Sequence, residues 1–390
     1  MKIASHTVVA SAGALGTLAL MAFLLFPRAA GPLQHPDPRT ASSAEPPPRR
    51  AHAFTPDPVP EFPDGLEWLN SRPLRMRDLR GKVVLIDFWE YTCVNCIRTF
   101  PYLKAWQERY RDKGLVLIGV HTPEFRFARL RANVAKAAAD FGLTWPLALD
   151  SDYQVWNAYG NRFWPAKYLI DGQGRIRHVH FGEGAYSETE AQIQSLLWEI
   201  NPRVELPPIL EPVRGTDRPG ARCYPATPEL YLGYERGGPE GTLGNPEGYQ
   251  PGRTVTYRDP GRHQDGTFYL NGAWRNLPQA VMSVRRADGP RDWIATAYHA
   301  LEVNIVVRPE LERPVRVWVL QDGKPVARAD RGEAIRYTAD GRSYVVVDRA
   351  RMYNLVKNAA FGHRELKLVA QGPGLGVYTF TFVSCTVDGG

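Results

Sequence analysis

The chain has 390 residues, a formal net charge of +7 and four cysteines. This positive charge is mild, and no run of basic residues is interleaved with aromatic residues, which argues against nucleic-acid binding and favours weak attraction to anionic surfaces. No internal repeat is found, which argues against a propeller or a solenoid.

Residues 1–30 have the character of an export element. Thr7 to Phe26 carries no charge and is about long enough to cross the hydrocarbon core of a bilayer. This length favours an uncleaved membrane anchor, although Arg28-Ala29-Ala30 offers a small-residue site for a signal peptidase. No cysteine stands directly after the apolar run, which excludes a lipoprotein anchor. The sequence therefore predicts a periplasmic or otherwise extracytoplasmic protein, tethered to the inner membrane by an N-terminal helix, or free in the periplasm if the segment is a cleaved signal peptide.

The next segment, residues 31–63, is rich in proline, alanine and serine, and is predicted to be an extended linker. Residues 64–202 then alternate strand and helix patterns, which predicts an α/β layer fold. The predicted elements are buried strands at Val83–Trp89 and Leu115–Val120, a helix at Arg126–Phe141, and a hairpin formed by Tyr168–Ile170 and Ile176–Phe181.

Two cysteines, Cys93 and Cys96, stand where the first buried strand should turn into a helix. A helix N-terminus favours a thiolate, so we expect a lowered pKa for Cys93 and assign it as the nucleophile. Cys96 lies one turn further along and is assigned as the resolving thiol. The alternatives are half of a zinc site or a short structural disulfide. A zinc site would need a second ligand pair, and Cys223 and Cys385 stand alone, so no metal is predicted.

Asp87 is the one charged residue in the strand Val83–Trp89. Burial raises the pKa of a carboxyl group, so Asp87 could take and return the proton of Cys96. The alternative is a carboxylate at the strand end that reaches water.

His121 and Glu124 follow the second strand, at the sheet end where ligands bind in α/β folds. We expect them to contact substrate, with an ordinary polar loop as the alternative. His178 and His180 alternate along one strand, but no third ligand has matching spacing, so a solvated hairpin face is expected instead of a metal pair.

The ordered set Asp87, Cys93, Cys96 and Pro165 resembles the thioredoxin superfamily. The resemblance implies a central mixed sheet flanked by helices, with Pro165 in a cis peptide bond against the active-site disulfide. Pro165 and Trp164 would then shape the substrate groove. Thr92 stands where a tryptophan usually precedes the first cysteine, and we count it among the substrate-binding positions.

Four further motifs resemble the extracytoplasmic thioredoxin-like region of DipZ-type proteins, and the long segment between His121 and Trp164 resembles the TlpA-like and peroxiredoxin-like insertion. The four motifs are Phe88–Arg98, Gly119–Glu124, Val155–Ala158 and Phe181–Gly184. This resemblance implies a thiol:disulfide oxidoreductase that reduces exported proteins and needs no cofactor beyond its redox-active disulfide. The chain has no counterpart of the electron-conducting membrane half of DipZ, so we expect electrons from a separate membrane protein of the CcdA type.

Residues 203–222 are predicted to be a second linker, and residues 223–390 an antiparallel β-sandwich, because short alternating runs are separated by glycine, aspartate and proline. By its resemblance to DipZ-type proteins, this domain should be similar to a carbohydrate-binding jelly roll. If its first and last strands adjoin, Cys223 and Cys385 would form a disulfide, with free buried thiols as the alternative. Four aromatic residues could form a platform on which a sugar stacks, or could instead fill the core of the sandwich. They are Tyr269, Trp274, Trp293 and Tyr298.

Two other functions remain open at this point. A thiol peroxidase of the peroxiredoxin-like type would consume peroxide through Cys93. A glycan-binding or adaptor protein would use the redox domain only as a scaffold, and would keep its activity after both Cys93 and Cys96 are replaced.

Overall fold

The computed structural model describes residues 58–285 and 292–386. The predicted membrane segment, residues 1–30, and nearly all of the predicted linker 31–63 lie outside this range. Among the residues that the structure describes, no helix is both long enough and apolar enough to span a bilayer.

The N-terminal part of the described chain alternates strands and helices, as the sequence pattern predicts. Its elements are β1 (Glu67–Leu69), β2 (Val83–Trp89), α1 (Val94–Tyr110), β3 (Leu115–His121), α2 (Arg131–Asp140), β4 (Leu147–Leu149), α3 (Gln154–Ala158), β5 (Ala166–Ile170), β6 (Ile176–Phe181) and α4 (Tyr186–Ile200). We refer to it below as the α/β region.

One predicted helix starts later than expected. The periodicity of residues 126–141 predicts a single helix, but Arg126–Arg129 forms a 3-10 turn and α2 begins at Arg131. Leu130 between them has an extended backbone, with φ −72° and ψ 115°, which interrupts the helical hydrogen bonding.

The six strands form one mixed sheet in the order β1-β4-β3-β2-β5-β6. The central strand β2 is parallel to β3 and antiparallel to β5. Helices lie against both faces through two apolar clusters. This is the mixed sheet flanked by helices that the thioredoxin-like prediction requires.

Strand β2 determines which side chains lie beneath helix α1. Side chains alternate between the two faces of a strand. The apolar cluster that includes helices α1, α2 and α4 contains Val83, Leu85 and Trp89. The cluster on the opposite face contains Val84, Ile86 and Phe88. Asp87 shares the parity of the first set, so its carboxyl group is directed to the face that α1 covers.

Strand β3 approaches its neighbours closely at Gly119. A Cβ atom at this position would lie 2.6 Å from the Cδ2 of Leu147 and 2.9 Å from the Nε1 of Trp89. The close packing therefore requires glycine at this point, directly beside the strand that leads into the cysteine motif.

The C-terminal part is almost entirely β-structure, and we call it the β region. Its elements are β7 (Arg222–Cys223), β8 (Leu230–Tyr231), α5 (Tyr234–Glu240), β9 (Thr254–Tyr257), β10 (Phe268–Asn276), β11 (Val281–Ser283), β12 (Trp293–His299), β13 (Glu302–Pro309), β14 (Val315–Gln321), β15 (Lys324–Pro325), β16 (Arg336–Tyr337), β17 (Ser343–Val347), β18 (Arg351–Lys357), β19 (His363–Ala370), β20 (Leu375–Val383) and β21 (Cys385–Thr386).

Strand β10 links two parts of a thirteen-stranded antiparallel sheet. Its first half pairs with β12, and its second half pairs with β9 and β11. Apolar side chains from both parts form one core. The predicted all-β architecture is therefore present, and its sequence signal was the alternation of apolar and polar residues in short strands.

The prediction that four aromatic residues form a surface platform for glycan binding is wrong. Trp274 and Tyr298 are fully buried, and Tyr269 is 4% exposed. The indole N–H of Trp274 donates to the carbonyl of Asn271, 3.0 Å away, and the Tyr298 hydroxyl donates to Gln321 Oε1, 2.8 Å away. These rings fill the core, because a sandwich needs large apolar side chains between its layers. Trp293 is half-buried.

The short strands β7 and β21 pair antiparallel and bring together the two ends of the β region. Cys223 and Cys385 are directly opposite each other in this register and form a disulfide. The bond joins residues separated by 162 positions.

The α/β and β regions pack against each other within one compact unit. Phe125 and Phe127 from the loop after β3 both contact the ring of Tyr378 on β20. Ion pairs also cross between the regions, including Arg126 with Glu235 at 3.0 Å. The β region therefore covers the loop that follows β3, next to the cysteine motif.

Candidate redox active site

The cysteine motif begins helix α1. Cys93 is the N-cap residue with an extended backbone, and its Sγ accepts a hydrogen bond from the backbone N–H of Cys96, 3.2 Å away. Both cysteines are free thiols, with Cys93 partly exposed and Cys96 fully buried. A nucleophile has to meet its substrate, whereas a resolving thiol has to meet only its neighbour, so this difference in exposure fits the two predicted roles.

The expected lowering of the Cys93 pKa is wrong for this structure. Burial raises the pKa of the Cys93 thiol, and the carboxyl groups of Glu124 and Glu90 act in the same direction. The hydrogen bond from Cys96 opposes this rise but does not outweigh it. Desolvation therefore exceeds the stabilisation that the helix N-terminus offers. Burial also raises the pKa of Cys96 well above its usual range, with smaller contributions from Cys93 and Asp87.

Asp87 faces a buried lysine that the sequence analysis missed. The antiparallel register of β2 and β5 places Lys167 directly opposite Asp87, with Nζ and Oδ1 3.5 Å apart. Each side chain is 1% exposed. Burial raises the pKa of Asp87 to about 6, although Lys167 lowers it. The carboxyl group therefore changes its protonation state near neutral pH, as a group that accepts and returns a proton must do.

A signal for Lys167 was present in the sequence. It is the only charged residue in β5, just as Asp87 is the only one in β2. Two buried strands with one opposite charge each suggest a pair, but the register that joins them cannot be read from sequence alone.

Glu90 lies three residues before Cys93 and is completely buried. Its Oε2 accepts hydrogen bonds from the backbone N–H of Thr92, 2.6 Å away, and from the Thr92 hydroxyl. Burial raises the pKa of Glu90 to about 8. His121 Nε2 lies 3.9 Å from Glu90 Oε1, and burial lowers the pKa of His121 to about 3. At neutral pH both groups are therefore mainly uncharged.

These contacts correct two predicted substrate-binding residues. His121 is 1% exposed and packs between the rings of Trp89 and Tyr91. Thr92 is 3% exposed, and its hydroxyl is occupied by Glu90. Neither side chain is open to a substrate, because the motif folds back over the end of β3.

Glu124 was predicted to contact substrate, but other side chains of the protein occupy its carboxyl group. Its Oε1 accepts hydrogen bonds from the Tyr231 hydroxyl, at 2.7 Å, and from Arg236 Nη1, at 2.6 Å. Both partners belong to the β region, and the Glu124 side chain is 12% exposed. No local pattern in the sequence predicts that side chains of the β region would bind this carboxylate.

The peptide bond between Trp164 and Pro165 is cis, as the resemblance implied. Pro165 is buried, whereas Trp164 is half-buried and its indole N–H donates to the carbonyl of Thr122, 3.0 Å away. Phe163, the residue before them, is 52% exposed. The segment thus presents an apolar surface on the loop that leads into β5.

A cavity of about 270 Å³ lies between the two regions, beside the cysteine motif. Its wall includes Tyr91 and Ile97 from the α/β region, and Ala350 and Met352 from the β region. Cys93 is not among the residues that line it, so the cavity adjoins the motif without forming the reacting site itself.

Across the described ranges, no group of three or more histidine, cysteine, aspartate or glutamate side chains is arranged to hold a metal ion.

Two family matches divide the chain. Residues 56–197 match the redoxin family, and residues 227–382 match the family of thioredoxin-like C-terminal domains. These ranges correspond to the α/β and β regions.

Individual relatives agree with this division. Protein DipZ of Mycobacterium bovis is 41% identical over 261 residues, which cover 66% of this chain and 35% of that protein. The thiol-disulfide oxidoreductase ResA of Geobacillus thermodenitrificans is 33% identical over 128 residues, which cover 33% of this chain and 71% of that protein. The chain thus spans about a third of the length of DipZ, but most of ResA.

Among solved structures, the chain is similar to a thiol-disulfide isomerase from Corynebacterium glutamicum. The two are 26% identical with a TM-score of 0.33, and the match covers 36% of this chain and 96% of that chain. From the two family matches and the ResA and DipZ relatives, the chain belongs to the thioredoxin superfamily, as a DipZ-type member in which a redoxin domain is followed by a thioredoxin-like C-terminal domain.

Proposed function

We propose that the chain is an extracytoplasmic thiol:disulfide oxidoreductase that reduces disulfides of exported proteins through Cys93 and Cys96. The observation that carries this proposal is the pairing of a partly exposed thiol at a helix N-terminus with a buried thiol one turn later. Membership of the thioredoxin superfamily supports it.

In the proposed reaction, the Cys93 thiolate attacks one sulfur of a substrate disulfide. The substrate S–S bond breaks, a mixed disulfide forms, and the leaving sulfur takes up a proton. Cys96 then loses its proton to a nearby base and attacks the Sγ of Cys93, which releases the second substrate sulfur as a thiolate that takes up the second proton. The substrate gains two electrons and two protons, and the protein ends with a Cys93–Cys96 disulfide.

Asp87 is the proposed proton acceptor for Cys96. Its pKa of about 6 keeps the carboxylate available at neutral pH, and its charge acts on the thiol of Cys96. Lys167 would set this pKa, because the charge of its ammonium group opposes the effect of burial. We assign Lys167 as a positioning residue.

The loop containing Trp164 and Pro165 is the proposed substrate groove. The exposed ring of Phe163 and the half-buried ring of Trp164 would provide apolar contact to a substrate chain. The regenerating electrons would come from a membrane protein of the CcdA type, and the predicted N-terminal anchor would place the redox domain beside it.

The proposal is tested with insulin as a disulfide substrate and a chemical dithiol as the electron source. The wild-type chain should accelerate insulin reduction, and Cys93→Ser should abolish the acceleration. Cys96→Ser should instead accumulate a mixed disulfide on Cys93, detectable by mass spectrometry of the intact protein. Replacing both Cys223 and Cys385 by serine provides the control, which should retain activity.

Activity that persists in Cys93→Ser would contradict the proposed role of Cys93. A mixed disulfide that forms on Cys96 instead of Cys93 would reverse the assignment of nucleophile and resolving thiol.

A further inference from the structure

The β region contributes side chains to the electrostatic environment of the redox site. Glu124 follows β3 in the α/β region, yet both of its hydrogen-bond donors, Tyr231 and Arg236, belong to the β region. The Arg236 guanidinium also lies over the Tyr231 ring, 3.2 Å from its centroid. Two donors therefore hold one carboxylate oxygen from the same side of the interface.

Glu124 is the centre of a group of acidic residues. Its charge acts on Glu90, on the thiol of Cys93 and on Glu229 of the β region. Glu229 accepts hydrogen bonds from Thr379 and Thr381, both at 3.2 Å. Among these groups Arg236 is the cation in direct contact with Glu124.

Two other cations near the motif, Arg98 and Lys167, pair with carboxyl groups other than Glu124. Arg98 on α1 pairs with Glu183 at 3.2 Å and with Glu302 of the β region at 3.7 Å. Lys167 faces Asp87 beneath α1. Among these cations, only Arg236 is paired with Glu124.

We propose that Arg236, supported by Tyr231, is a positioning residue of the redox site, which holds the Glu124 carboxylate and thereby limits its repulsion of the Cys93 thiolate. The C-terminal domain thus controls the reactivity of the attacking thiol through this contact. This inference deepens the proposed function and rests on it for the role of Cys93.

The effect of Arg236 on Cys93 depends on charge and distance. A thiolate is the nucleophile, and a nearby negative charge disfavours its formation. The Arg236 guanidinium lies 2.6 Å from the Glu124 carboxylate. At the larger distance of the Cys93 thiol, the positive charge of Arg236 cancels much of the repulsion from Glu124. Removal of Arg236 leaves Glu124 uncompensated, so the Cys93 thiol should ionise at higher pH and react more slowly near pH 7.

The experiment measures the rate at which iodoacetamide alkylates Cys93 between pH 5 and 10. Every variant is made in the full chain with Cys96→Ser, so that Cys93 is the one free thiol. Arg236→Gln should lower the rate at pH 7 by about three- to tenfold, which corresponds to a rise in pKa of about half to one unit. Glu124→Gln should raise the rate, because it removes the negative charge while keeping an oxygen that accepts both hydrogen bonds.

A double-mutant cycle tests the route of the effect. If Arg236 acts through Glu124, then Arg236→Gln should have no effect on the alkylation rate when Glu124 is already glutamine. Arg126→Gln is the matched control, because it removes another arginine–glutamate pair between the same two regions without touching Glu124. This control should keep the alkylation profile of the parent chain.

The inference is overturned if Arg236→Gln leaves the pH profile unchanged, or if it slows alkylation equally in the Glu124→Gln chain. If Arg236→Gln does not fold, Glu124→Gln alone decides the matter, since an unchanged or slower rate there also overturns the inference. Alkylation needs no disulfide substrate, so failure of the proposed oxidoreductase activity would be seen separately in the insulin assay.

Discussion

Replacing Glu90 by glutamine is expected to make the protein more resistant to unfolding at alkaline pH. Burial raises the pKa of Glu90 from its usual 4.5 to about 8. The folded chain therefore holds a proton that the unfolded chain has already lost between these two pKa values, so stability falls as pH rises through this window. The linkage relation gives a cost of about 2 kcal/mol at pH 6 and about 5 kcal/mol at pH 9.

The difference between these two costs is the quantity to measure. Between pH 6 and pH 9 the wild-type chain should lose about 3 kcal/mol more free energy of unfolding than Glu90→Gln. The glutamine can still accept both hydrogen bonds from Thr92, so the geometry of the motif is kept. Urea denaturation at the two pH values gives the comparison, and other titrating groups cancel because both chains contain them.

Glu188→Gln is the matched control, because it removes an exposed carboxyl group from α4 and should keep the wild-type pH dependence. Equal pH dependence in the wild-type chain and in Glu90→Gln would contradict this prediction, since it would mean that the buried carboxyl group has the same proton affinity in the folded and unfolded chains.

Three further predictions concern single contacts. Lys167→Met removes the charge that lowers the Asp87 pKa, so the pH optimum of insulin reduction should move to higher pH, and an unchanged optimum would exclude a role for this pair. Gly119→Ala places a methyl group in a space already filled, and urea denaturation should show a loss of about 1–3 kcal/mol. Replacing Cys223 and Cys385 together by serine should cost about 2–5 kcal/mol in non-reducing thermal unfolding while leaving insulin reduction intact. A loss of activity at temperatures where this variant is still folded would give that disulfide a role in the reaction.

The strands and helices around the motif could be predicted because their signals are local. The apolar run of β2 and the cysteine spacing place two thiols at a strand-to-helix turn, and the structure has β2 at the predicted bounds, Val83–Trp89. The one charge in that strand also drew attention to Asp87, which the structure shows to be buried, and its role in proton transfer stays a prediction.

What could not be predicted depends on contacts between distant segments. The Asp87–Lys167 pair depends on strand register, and the burial of His121 depends on how the motif folds back over β3. Glu124 was placed correctly at the end of a strand, but its partners lie more than a hundred residues away. The expected low pKa of Cys93 failed because the helix N-terminus is a local feature, whereas desolvation depends on everything that packs around the thiol.

The aromatic residues of the β region show the same limit. Composition alone does not distinguish a surface platform from a core, since both need large rings. The structure places Tyr298 in the core with its hydroxyl bonded to Gln321. A buried ring with a satisfied hydroxyl leaves no face for a sugar to stack on.

The equilibrium reduction potential of the Cys93–Cys96 pair decides whether the protein acts as a dithiol reductase. The chain would be equilibrated with glutathione and with a dithiol of lower potential, and the Cys93–Cys96 disulfide quantified by mass spectrometry separately from Cys223–Cys385. We predict a reversible two-electron titration at or below about −270 mV, the potential of thioredoxin, as expected for a reductase. A potential near about −120 mV would make the protein a disulfide donor, and the absence of any Cys93–Cys96 disulfide would contradict dithiol exchange altogether.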